Sequence, residues 1–177
     1  MKRALLLPLL GVLAACGPQA AENAPVPTSS TPPVVTTTSA APTMPAAPQP
    51  VKDGTCPYLP TTFVAEANGQ RVPKVKLSTD APHPACFFYA SATEIQLTVR
   101  VYAGDERVAK MIVNEAAPDG SQPATSPTGW TGGYVSNNNG VVYAVAKSDA
   151  AVVVTTNQKQ SIKARRIAEE AIKNLGL

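Results

Sequence analysis

Leu13-Ala14-Ala15-Cys16 follows a basic start (Lys2, Arg3) and an apolar run from Ala4 to Val12. Charge, apolar core and small residues before a cut form the pattern of a secretory signal peptide. The cysteine at the cut turns it into a lipoprotein signal. Cys16 is expected to take a diacylglyceryl group and become the mature N-terminus. Residues 1–15 then belong to no fold, and everything after them lies where cysteines oxidise. A membrane-spanning helix fits poorly, because the run is well short of roughly 18–20 residues and contains Pro8.

The next stretch narrows the fold again. From Gly17 to Val51, Pro, Ala, Thr, Ser and Val dominate, and nine of the chain's 18 prolines lie here. Proline fixes φ and removes a donor, so such a stretch favours extended backbone without ladders. No apolar periodicity appears, so residues 16–51 are expected to be a lipidated, disordered tether. Extended, it would reach roughly 100 Å; as a coil, about 35 Å. Thr28-Ser29-Ser30-Thr31 and Thr36-Thr37-Thr38 beside prolines fit either an O-glycosylated stalk or an unmodified linker.

That leaves residues 52–177 for one domain, a size that suits one core and not two. The formal charge is +3, but Lys2 and Arg3 leave with the signal, and 13 basic side chains then face 12 acidic ones. Such a balance gives no argument for nucleic acid, which needs a clustered basic face. Cys56 and Cys86 are the cysteines left over, an even pair outside the membrane, and are expected to form a disulfide. A metal site lacks partners, since His83 is the only histidine.

Within the domain, Thr62 to Ala67 is a short apolar stretch ending at the turn signal Asn68-Gly69. Gln70 to Leu77 alternates, but Pro73 demotes it to an edge strand or irregular segment. Ala85 to Tyr89 reads as a strand. Ile95, Leu97, Val99 and Val101 alternate with polar residues along a half-buried strand. Asp105 is an N-cap candidate for a helix carrying Val108, Met111 and Ile112, which Pro118-Asp119-Gly120 stops. Ser121 to Gly129 reads as a loop. Trp130 to Val135, Val141 to Lys147 and Ala151 to Thr156 form a meander turning at Asn137-Asn138-Asn139-Gly140 and Ser148-Asp149-Ala150.

A last helix carries a stripe of Ala164, Ala168, Ala171, Ile172 and Leu175, with Asn157 or Ser161 as its cap, pairs Arg166–Glu170 and Glu169–Lys173, and Gly176 at its end. The expected fold class is α+β: an antiparallel sheet of about four or five strands with two packed helices and one disulfide.

Three places could carry chemistry. His83, near Asp80, would need a hydroxyl partner for hydrolysis, and no nucleophile motif supplies one. Gly129-Trp130-Thr131-Gly132-Gly133-Tyr134 is the most unusual local sequence. Trp130 and Tyr134 either offer an aromatic contact surface or, for Trp130, fill the core beside glycines that serve a tight turn or bulge. Lys159, Lys163, Arg165 and Arg166 could meet anionic head groups or wall polymer, or form a solvated face with local ion pairs.

Cys56-Pro57-Tyr58-Leu59, Asn68-Gly69-Gln70-Arg71-Val72, Cys86-Phe87-Phe88-Tyr89, Gly129-Trp130-Thr131-Gly132-Gly133, Val142-Tyr143-Ala144-Val145 and Thr156-Asn157-Gln158 through Ser161-Ile162-Lys163-Ala164 resemble a family of secreted lipoproteins of mycobacteria, corynebacteria and relatives, known as a domain of unknown function. The resemblance covers Lys52 to Leu177. It implies an envelope lipoprotein with a disulfide and an α+β domain, and no activity or catalytic residue.

The expected function is a non-enzymatic interaction module, lipid-anchored on the outer face of the plasma membrane and reaching into the cell wall. Its partner would be an envelope protein or cell-wall glycan, its contact surface Pro123 to Tyr134, and it would need no cofactor or metal. The alternative is a carrier or sensor holding a lipid or glycan fragment between sheet and helices; a wall-active hydrolase is the third reading.

Overall fold

A computed structural model of the chain describes residues 41–177. The expected signal peptide, Cys16 and the spacer up to residue 40 lie outside the described residues. In chain order the elements are β1 (Lys52–Asp53), α1 (Thr61–Asn68), β2 (Lys74–Leu77), β3 (Cys86–Tyr89), β4 (Ile95–Ala103), α2 (Glu106–Ala116), β5 (Gln122–Ala124), β6 (Thr131–Asn137), β7 (Gly140–Lys147), β8 (Ala150–Thr156) and α3 (Ser161–Leu175). The eight strands form one antiparallel sheet in the order β1-β2-β3-β4-β8-β7-β6-β5.

Two meanders are therefore joined at one seam. β1 to β4 run from one edge to the centre, and β8 to β5 run from the centre to the other edge. At the seam β4 and β8 pair over seven positions, Leu97↔Thr156 to Ala103↔Ala150. No helix among the described residues is long and apolar enough to cross a membrane.

The expectation of four or five strands and two helices was too low: the described residues hold eight strands and three helices. β1 has two residues and β5 three, too short for an alternating pattern to register. β5 contains Pro123, which a strand tolerates at the edge of a sheet, where β5 lies. Lys74–Leu77, demoted by Pro73, pairs on both sides, with β1 and with β3. Pro73 itself stands just outside the ladder. The missed helix, α1, opens with Thr61, Thr62, Phe63 and Val64, all poor or middling helix formers. Packing decides there. Val64 and Ala67 are buried, and Gly69 ends the helix with φ 73°, its N–H on Ala65 O.

Strand alternation sorts the core into two faces. Leu97, Val99, Val141, Tyr143, Val145, Val152 and Val154 are buried in one cluster with α1 and α3. α3 contributes Ala164, Ile167, Ala168, Ala171 and Ile172, whose small alanines let the helix lie close to the sheet. Ala144, Ala146 and Ala151 point the other way and meet Val108, Ala109, Ile112 and Val113 of α2. Each helix is thus explained by an apolar stripe matched to one strand face.

Residues of the expected tether also touch the domain. Met44 packs against the α2 cluster, Arg100 Nη2 donates to Pro45 O (3.3 Å) and Ala46 O (3.2 Å), and Val51 N donates to Leu77 O (2.9 Å). Arg100 pairs along β4 in phase with Thr98, which stands opposite Phe87, so this segment crosses the sheet face that α2 leaves open.

Cys56 and Cys86 are joined, fastening the segment before α1 to β3. Tyr58 reinforces the same corner, donating to Pro84 O (2.9 Å). Burial pushes its phenol well above the ordinary tyrosine range, and Asp80 adds in the same direction.

Candidate interaction surface

The two aromatic residues singled out by the sequence part company. Trp130 is only 2% exposed and belongs to the main core, so it is no contact surface. The glycines beside it are structural. A Cβ at Gly132 would sit 2.0 Å from Ala144 O on β7, so only glycine lets these strands approach. Tyr134, further along β6, is half-buried and stands directly opposite Tyr143.

Tyr134 and Tyr143 share the α3 side of the sheet. With the loop Pro123–Ser126 and the first turns of α3 they line an open cleft of about 200 Å³. The loop is fastened from below. Tyr143 Oη donates to Ser126 O (2.6 Å), and Ser126 Oγ donates to Glu169 Oε1. Arg165 Nε lies 3.6 Å from the same carboxylate. Burial raises the pKa of Tyr143, so its hydroxyl stays a donor at neutral pH.

On the rim, Ile162 is 46% exposed; Val51 and Ile95 are the other exposed large hydrophobic residues among those described. Ile162 lies off the stripe of α3 that packs on the sheet. The arrangement places an aliphatic side chain, a tyrosine and an arginine around one shallow depression. Tyrosine and arginine are among the residue types that dominate the energetics of protein contacts.

Sequence reasoning found Tyr134 and the loop, and missed Ile162 and Tyr143. Ile162 carried a usable signal, a large apolar residue at the start of an amphipathic helix and outside its stripe. Tyr143 did not, because nothing in Val141 to Lys147 says which phenol meets a loop 17 residues earlier.

The basic cluster disperses. Lys163 Nζ donates to Asn68 O (2.9 Å) and Gln158 Oε1 (2.7 Å). Arg165 faces Glu169, and Arg166 faces Glu66 at 3.7 Å across the helix pair, where Glu170 had been expected. Lys173 pairs with Glu170 at 3.3 Å instead of Glu169. Asp80 Oδ2 accepts from Ser78 Oγ (2.6 Å), and no hydrogen bond joins His83 to either among the described residues.

Residues 39–177 match the family model described as a domain of unknown function, DUF2020. No curated protein matches the chain.

Proposed function

We propose that this chain, a member of the DUF2020 family, is a lipid-anchored envelope protein whose domain is a non-enzymatic interaction module. The Leu-Ala-Ala-Cys16 signal supports the anchor and the outer face of the membrane. The proline-rich stretch supports a spacer that carries the domain into the wall layer.

The observation that carries the module reading is exposed Ile162 beside half-buried Tyr134 and Arg165 on the α3 cleft. An exposed aliphatic anchor flanked by tyrosine and arginine suits a protein surface. The carrier reading asks for a large, mostly apolar enclosure. The clefts described span about 180–360 Å³, and all open to solvent. The partner favoured is therefore another envelope protein.

The test is photo-crosslinking in the native envelope, with the crosslinker at residue 161 of the lipidated chain. One specific partner is expected, lost at least tenfold in Ile162→Glu and in Tyr134→Ala. Both positions are partly solvent-exposed, so both variants should fold. A partner captured equally by all three proteins, or none by the parent, would sink the proposal. Trp130→Ala is no control here, because it empties the core.

A further inference from the structure

Residues 42–50 fall in the stretch expected to be a disordered tether, yet they carry a spacing that a free spacer does not need. Pro42, Pro45 and Pro48 recur at every third residue, and all three are half-buried. Thr43, Ala46, Ala47 and Gln49 around them are exposed, while Met44 is half-buried against the α2 cluster. Three residues make one turn of a polyproline II helix, so prolines at that spacing share one face. Such segments dock on aromatic surfaces, because their backbone is already extended and little entropy is lost on binding.

The sheet face beneath supplies the rings. Phe87 and Tyr89 form a small buried cluster with Ala85, on the same side of the sheet as Arg100. The helices lie elsewhere: α2 packs on β6, β7 and β8, and α1 and α3 join the core of the opposite face. Lys74 covers part of Tyr89, its Nζ 4.4 Å from the ring centre. The proline segment crosses this face and is fixed there by Arg100, whose Nη2 donates to Pro45 O (3.3 Å) and Ala46 O (3.2 Å). Proline has no backbone N–H, so a docked proline-rich chain presents carbonyls, and a guanidinium, a donor only, is suited to hold them.

We infer that the face of β2, β3 and β4 is a binding site for a polyproline II segment with proline at every third position, and that residues 42–48 are its built-in occupant. Phe87 and Tyr89 form the floor, and Arg100 holds the ligand's carbonyls. Three residues separate the occupant from β1, so its local concentration is high, and a second proline-rich segment binds only by displacing it. Release frees about ten residues and extends the tether by about 30 Å. That consequence rests on the lipid-anchor proposal; the site itself does not.

The probe is a synthetic peptide with the sequence of residues 41–51. Its control has the same composition with the prolines moved off the three-residue spacing. Full-length protein carries a nitroxide at an exposed position, introduced through Ala46→Cys. The label should be immobilised in the free protein and should become mobile, saturably, as the 41–51 peptide is added. The control peptide should need at least a tenfold higher concentration. In a second protein, Pro42→Gly/Pro45→Gly/Pro48→Gly weakens the built-in occupant. By fluorescence anisotropy it should bind labelled 41–51 peptide at least tenfold more tightly than the parent does, and adding Arg100→Gln should weaken that binding several-fold. If the triple variant does not melt cooperatively, the nitroxide titration decides alone. A label already mobile without peptide, or two peptides of equal strength, overturns the site. So does a folded triple variant that binds no better than the parent, or an affinity that Arg100→Gln leaves unmoved.

Discussion

Asn68 is fully buried and polar, and three elements depend on how it is satisfied. Its Nδ2 donates to Gln96 Oε1 (2.8 Å), and its Oδ1 accepts from Thr156 Oγ1 (2.6 Å). Gln96 passes the chain on to Arg71 O (2.6 Å) and Tyr89 O (3.2 Å). α1, β4 and β8 are thereby held at one point, and no buried side-chain polar atom among the described residues lacks a partner. Such a network is stabilising only while complete. Thr156→Val keeps the shape but leaves Asn68 Oδ1 without its donor and Gln158 N–H without the Thr156 acceptor. The expected loss is roughly 1–3 kcal/mol by urea unfolding, with Thr156→Ser much closer to the parent. A loss below about 0.5 kcal/mol would mean that water replaces the bond and the network is ornamental. These residues were visible in the sequence only as a turn signal, a polar strand position and the end of another strand, because a hydrogen bond across 88 positions leaves no local pattern.

At the level of elements, α2 shows what local chemistry can specify. Asp105 caps it, accepting from Arg107 N (2.7 Å), and the Arg107 side chain closes on the same carboxylate (2.9 Å). The hydrogen bonds from Arg107 hold the Asp105 pKa down to about 2, below its usual 3.8. The folded state thus prefers the charged carboxylate. Its contribution is present above about pH 4 and is lost as pH falls from there towards 2. Asp105→Asn keeps a capping oxygen and removes the titration. Thermal melting should find the parent more stable than Asp105→Asn at about pH 5 and the gap closed by about pH 2. A gap that ignores pH would mean the capping geometry, and not the charge, stabilises the helix. This cap and the stripe behind it were legible because they repeat at helical spacing. α1 was not legible, because its β-branched start is overruled by packing. The start of α3 was misread for a related reason. Gln160 precedes it without a side-chain cap, and Asn157 reaches Gln70 instead (3.2 Å). The candidate site divides the same way: Tyr134 stood out by composition, whereas its neighbours Tyr143 and Ser126 meet it only through the fold.

The domain formed by the described residues is two meanders sharing the β4–β8 seam, with helices on both faces. Its outer strands are short, so the β1 side depends on attachments other than the ladder. Lys52 and Asp53 are exposed, and the pairing of β1 with β2 covers two positions. The disulfide supplies the missing attachment, tying the chain just after β1 to the third strand across a separation of 30 residues. On the chain-entropy model, closing that loop is worth about 3.5 kcal/mol, chiefly by restricting the unfolded chain. Cys56→Ser/Cys86→Ser should lose about that much in urea, with a larger m-value because its unfolded state is more expanded. The transition should stay single. The seven-position seam and α3, which packs across β7 and β8 and against α1, leave neither meander a core of its own. Circular dichroism and Trp130 fluorescence report on the two halves differently, since Trp130 belongs to the β5–β8 meander. Coincident curves from both probes in the double variant would support one cooperative unit. Separate midpoints, with the ellipticity change preceding the fluorescence change, would show that the disulfide holds the β1–β4 meander onto a β5–β8 unit able to stand without it.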